Sequence, residues 1–251
     1  MRVVLIARRK SSIVFDWLKV SFAVFKQKPS TWMAIFALHT LAMLLAQFVP
    51  VLGVFFMLLA PYLAAGVVNC ANMSERGESY NTDDFFQPFK QKEYRGPFLQ
   101  VSAIQIGLGL IVAFCSQGLV QSMPAMAEQM KAGEAVTVPV EQVISFIVPY
   151  LFVTAASYFL VPLVYFHKVK GWEAVKLSLT ACMRNLPVML VLLLIVFTLL
   201  FISGLTFMLG LLIAGPVILI VNYVAFRSLF AVRHASDESV QEIQQNGSMD
   251  A

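Results

Sequence analysis

The sequence predicts an all-α fold: a polytopic integral membrane protein with six transmembrane helices in three hairpins and amphipathic helices along the cytoplasmic interface. Three observations carry that expectation. The 251 residues are 59% hydrophobic and 13% charged, with a mean hydropathy of +0.78, whereas a soluble domain holds about 45–50% apolar and about 25% charged residues. A single buried core could not absorb that surplus, so lipid must solvate much of the surface. Long apolar runs recur along the chain, and its basic residues gather on one side of them.

The amino-terminal segment, residues 1–30, comes first. Its apolar run 3–7 is too short for the core of a signal peptide, and Arg8, Arg9 and Lys10 follow where a cleavage site would stand. Beyond it, Ile13, Trp17, Val20 and Val24 recur on one helical face, with Asp16, Lys19 and Lys26 on another. This pattern predicts an amphipathic helix ending at Pro29. Trp17 is expected at headgroup depth, with Lys19, Lys26 and Lys28 facing anionic lipid.

Six runs of spanning length follow, at 32–49, 51–68, 98–119, 143–166, 187–207 and 208–232. The only Lys, Arg, Asp or Glu inside them is Arg227. Only the turn Pro50-Val51-Leu52-Gly53 divides the first two, so a re-entrant hairpin is the alternative to two short spans. The last two meet near Ser203, Gly204 and Gly210. Together the spans make a transmembrane domain over 31–232, and the polar tail 233–251 is expected to be disordered.

Orientation follows from lysine and arginine. Of eighteen such residues, only Lys131 falls in a loop on the far side. The side holding the others is expected to be the cytoplasm, with both termini in it.

Elements of the first segment recur. Trp172, Val175, Leu179 and Cys182 share a face opposite Glu173, Lys176, Thr180 and Arg184, and Pro187 again opens a span. Trp172, Lys176 and Arg184 are therefore expected at the lipid interface as well. Pro61, Pro162 and Pro216 each interrupt the second span of a pair, and Phe85, Phe86 and Phe89 precede the middle hairpin. The pattern reads as an internal repeat of interfacial helix, span and proline-bearing span.

Phe25-Lys26-Gln27-Lys28-Pro29, Ala60-Pro61-Tyr62-Leu63-Ala64-Ala65-Gly66 and Arg184-Asn185-Leu186-Pro187 give the chain a family likeness. Over residues 12–232 it resembles a widespread family of bacterial six-helix inner-membrane proteins. That family is distantly similar to the membrane domain found beside some glycerophosphodiester phosphodiesterases. The resemblance implies a multi-pass protein of the bacterial inner membrane. It supplies no catalytic residues to map, and no soluble phosphodiesterase domain accompanies it here.

Few residues offer chemistry. Cys70, Cys115 and Cys182 are sparse and odd in number, which speaks against a disulfide framework or a metal cluster. No catalytic, cofactor or metal site is expected, and no nucleic acid. Asp83 and Asp84 precede Phe85 and Phe86 as a helix start would. His39 lies well inside a span, with Gln47 two turns on, and such a residue is a functional candidate. Gln105, Ser157 and Tyr158 could complete a polar track; the plainer reading is a set of interhelical contacts. The expected role is non-enzymatic: a scaffold, assembly factor or regulator that binds membrane lipid, other membrane proteins or its own copies. A small transporter or channel centred on His39 is the alternative, and a lipid-acting membrane enzyme is the third.

Overall fold

A computed structural model describes residues 2–48 and 50–234; the predicted tail from 235 onward lies outside them. The chain is all-α apart from one small ribbon. Its helices are α1 (Ile13–Gln27), α2 (Pro29–Phe48), α3 (Pro50–Glu75), α4 (Gln87–Lys90), α5 (Arg95–Ala132), α6 (Val140–Ser157), α7 (Leu160–His167), α8 (Gly171–Arg184), α9 (Leu186–Leu205) and α10 (Leu211–Leu229). Among the described residues, five segments are long and apolar enough to cross a bilayer: Phe55–Glu75, Lys92–Ala132, Val140–His167, Leu186–Leu205 and Leu211–Leu229. A shorter apolar helix, Pro29–Leu45, precedes them.

α3 and α10 form the middle of the bundle. Half or more of their apolar windows is buried, 50% and 56%, against 17% in the other three. Those three bare Leu110, Phe114, Phe152, Leu194 and Phe197 to their surroundings, as helices that face lipid do. Small residues set the tightest approaches. A Cβ on Gly66 would lie 2.1 Å from the Phe85 carbonyl oxygen, and one on Gly215 would strike the Phe36 ring at 2.3 Å.

α1 packs chiefly on α10, and its buried face is Val14, Trp17, Ser21, Val24 and Phe25. Trp17, expected at headgroup depth, is only 2% exposed: the apolar stripe meets protein, not lipid. Periodicity located the stripe, but it does not say what covers it. Pro29 does not end α1. It opens α2, where its missing N–H costs nothing.

The spans depart from their predicted bounds chiefly in four places. The second continues as α3 to Glu75. The helix of the third predicted span continues through Pro124 to Ala132 and ends on Gly133 at φ 72°, where glycine takes the left-handed conformation at no steric cost. The fourth breaks between α6 and α7 at Tyr158 and Phe159, ahead of Pro162. The sixth ends at Leu229, after which Phe230–His234 form β2.

β2 pairs antiparallel with β1 (Arg2–Ile6), Arg2 opposite His234 and Ile6 opposite Phe230. The apolar run near the amino terminus is therefore one strand of a ribbon. Asn185, 1% exposed, fastens the chain behind it. Its Oδ1 accepts from the Arg9 amide at 2.8 Å, and its Nδ2 donates to the carbonyls of Ala7 and Ala181, each at 3.1 Å. The Arg9 guanidinium donates to the Ser228 carbonyl at 2.9 Å, placing a cation at the negative end of α10.

Between α3 and α5 a short 3₁₀ turn, Thr82–Phe86, packs Phe85 fully into the bundle against α3. Tyr223 and Arg227 of α10 meet the end of α3: Arg227 pairs with Glu75 at 2.7 Å, and the Tyr223 hydroxyl donates to Glu75 and Asn72 at 3.0 Å. The one basic residue inside a predicted span is thus neutralised by its neighbour.

A polar-ended cavity at the broken helix

Pro162 has no N–H, so the Tyr158 carbonyl one turn before it loses its helical donor. Asn222 of α10 fills the gap, its Nδ2 donating to that oxygen at 2.7 Å. The preceding rung is also interrupted. Ser178 of α8, 0% exposed, donates through Oγ to the Ala155 carbonyl at 2.7 Å and accepts from the Phe159 amide at 3.0 Å. A hydroxyl from one helix is thereby inserted into the ladder of another, a recognised cause of a sharp kink. The Cys182 thiol adds a weak bond to the same Ala155 carbonyl at 3.5 Å.

The kink borders a cavity of about 620 Å³, within the range of about 300–1,000 Å³ common to ligand sites. Four of the predicted polar residues, His39, Gln105, Ser157 and Tyr158, line it together, joined by Thr154 and Asn222. They come from α2, α5, α6, the α6–α7 break and α10. His39 Nδ1 is buried and has no hydrogen-bond partner among the described residues, so the expected contact to a neighbouring helix is not made through that atom. The fifth member of the predicted track, Gln47, lies near the end of α2, with its side chain outside the described residues. Asn222 was not singled out in the sequence, although an asparagine inside an apolar span was its signal.

Around these groups the lining is apolar. Its outer part is Leu151 and Phe152 of α6, Met183 of α8, and Leu186, Leu190 and Leu193 of α9, all exposed. α6 packs on α5 and α8, and α9 on α10, α1 and α8, while α6 and α9 barely meet. The cavity therefore lies between two helices whose outer apolar side chains are exposed. On α9 its lining runs from Leu186 to Val196, about 15 Å of helix rise, or half of a hydrocarbon core about 30 Å thick. Leu179 and Cys182 of α8 line the cavity as well.

The candidate interface residues divide. Lys19, Lys176 and Arg184 are exposed, and Trp172 is 57% exposed. Lys26 lies over the Phe22 ring, 4.8 Å from its centroid. Lys28 turns inward, donating to the Tyr80 carbonyl at 2.5 Å beneath a Trp32–Tyr80 hydrogen bond of 2.9 Å. It is committed to the protein, as Trp17 is.

Asp84 caps the 3₁₀ turn, its Oδ2 accepting from the Asn81 amide at 2.9 Å while Asn81 Oδ1 accepts from the Asp83 amide at 3.0 Å. Among the described residues, no three His, Cys, Asp or Glu side chains are grouped to hold a metal ion. Compared with protein-family models, with curated proteins and with solved structures, the chain has no match.

Proposed function

We propose that this chain is a non-enzymatic membrane protein that binds lipid in the cavity beside the α6–α7 break, and through that binding acts as a scaffold, assembly factor or regulator. The observation that carries it is the parting of α6 and α9, whose exposed leucines rim an apolar space with buried polar groups behind them. A pocket for a water-borne ligand would open towards water; this one opens towards acyl chains.

The proposal includes six crossings, with α2 as the sixth, arranged in three hairpins. β1 and β2 are hydrogen-bonded neighbours, and an odd number of crossings between them would place them on opposite faces of the bilayer. With Lys131 alone on the far side, in the last turn of α5, the ribbon, α1 and α8 belong on the cytoplasmic side of a bacterial inner membrane. There Lys19, Lys176 and Arg184 meet anionic lipid. The similar succession of α1, α2 and α3 to α8, α9 and α10 supports an internal repeat. Extraction into a gentle detergent followed by native mass spectrometry tests the function. One lipid per chain that survives the extraction is expected; a chain that always emerges bare, with no stable partner, ends the proposal.

A transporter is the second reading, because broken helices lining a cavity are how many transporters build their sites. Its test is His39→Cys in a background free of Cys70, Cys115 and Cys182, probed with a membrane-impermeant thiol reagent from each side. Protection from both sides is expected of a lipid-filled site, whereas labelling would bring transport forward.

A further inference from the structure

The lining combines a polar interior with an apolar rim, and it contains no Lys, Arg, Asp or Glu. A phosphate or carboxylate brought to His39 would be desolvated with no cation to meet it, at heavy cost. An uncharged oxygen would meet His39 Nδ1, buried without a partner among the described residues, and the Gln105 amide and Ser157 hydroxyl line the same cavity. The exposed leucines of α6 and α9 lie outward of these groups, where a chain would trail into the bilayer. Lipids that merely coat a membrane protein lie the other way, with heads at the surface and tails inward.

We propose that the cavity takes one amphiphile of the adjoining leaflet head-first, its uncharged hydrogen-bonding head against His39, Gln105 and Ser157 and its chain leaving between α6 and α9. This rests on the lipid-binding function above and narrows it to a ligand class: a long-chain amphiphile whose head is a hydroxyl, ester or quinone carbonyl. An acylglycerol and an isoprenoid quinone both offer that chemistry.

The test uses the full chain in nanodiscs with three photoactivatable probes, each bearing a diazirine near its head: a monoacylglycerol, a quinone analogue and a phosphatidylglycerol. Cross-linked residues are mapped by mass spectrometry. Both uncharged probes, or one of them, are expected to label residues 154–162 and the peptide containing His39 at least tenfold above the anionic lipid. Competition between unlabelled acylglycerol and quinone then tells the two sources apart. His39→Leu, which keeps the bulk and loses the polar atoms, should cut that labelling about five- to tenfold, the effect of roughly one hydrogen bond. Leu190→Trp should cut it too, by narrowing the opening without touching the polar wall. Equal labelling by phosphatidylglycerol overturns the head-first assignment and leaves lipid binding standing. Labelling of the cavity by no probe overturns both.

Discussion

Asn222 donates its side-chain amide to the backbone carbonyl of Tyr158 across 2.7 Å, so a residue of α10 completes the hydrogen bonding of a helix that Pro162 interrupts. Replacing it with leucine leaves that carbonyl unpaired. Asn222→Leu should lower stability by about 1–2 kcal/mol, allowing for the modest value of such bonds inside membranes. Adding Pro162→Ala supplies the missing N–H and should recover most of the loss. Unfolding midpoints in mixed micelles measure both variants.

Gly66 sits where any side chain would meet the Phe85 carbonyl. Gly66→Ala should therefore destabilise by about 1–3 kcal/mol, the usual cost of overpacking. Gly107→Ala is the control, since a Cβ there meets nothing within 4 Å; it should be neutral or slightly stabilising through helix propensity.

Lys168 lies at the end of α7, bonded to the Tyr94 hydroxyl and, at 2.9 Å, to Glu93. Burial alone would pull its ammonium down, but the bonds to Tyr94 and Glu93 outweigh burial and hold its pKa above that of ordinary lysine. A folded-state pKa above the unfolded value of about 10.4 contributes stability that is complete below about pH 10 and disappears as pH rises through the folded value. Lys168→Met should flatten the fall in melting temperature on the alkaline side. Because the side chain is 47% exposed, the effect at pH 7 should be small and should shrink further in salt.

Asn185 holds the chain at Ala7 and Arg9. Asn185→Ala should release that segment, so that trypsin cuts after Arg8 and Arg9 several times faster than in the parent. Cutting after Lys176, on the helix itself, should change little. An unchanged rate at Arg8 would mean that the ribbon alone secures the segment.

What the sequence made legible follows from the range of each signal. Apolar length and charge asymmetry are local, so the helices that could cross a membrane stand out from composition. His39, Gln105, Ser157 and Tyr158 were visible for the same reason, as polar residues in runs that otherwise lack them, and they do line one cavity. Trp17 was placed on an apolar stripe, but a stripe meets lipid or α10 with the same periodicity. Pro162 announced a break, whereas the groups that satisfy it, Ser178 and Asn222, lie on helices that only the fold brings near. The ribbon was hidden for a like cause: its strands stand at opposite ends of the chain, and an apolar run of five residues has no partner in local sequence.

The ribbon also sets an order of events in biosynthesis. Its first strand leaves the ribosome about 230 residues before its second, an interval of roughly ten to fifty seconds at ordinary elongation rates. Until residue 185 emerges the amino-terminal segment has neither Asn185 nor its strand partner, and from then until residue 230 Asn185 alone can hold it. Closure of the ribbon thus reports that the last helix has been made, and a chain truncated before residue 230 leaves its first strand unpaired.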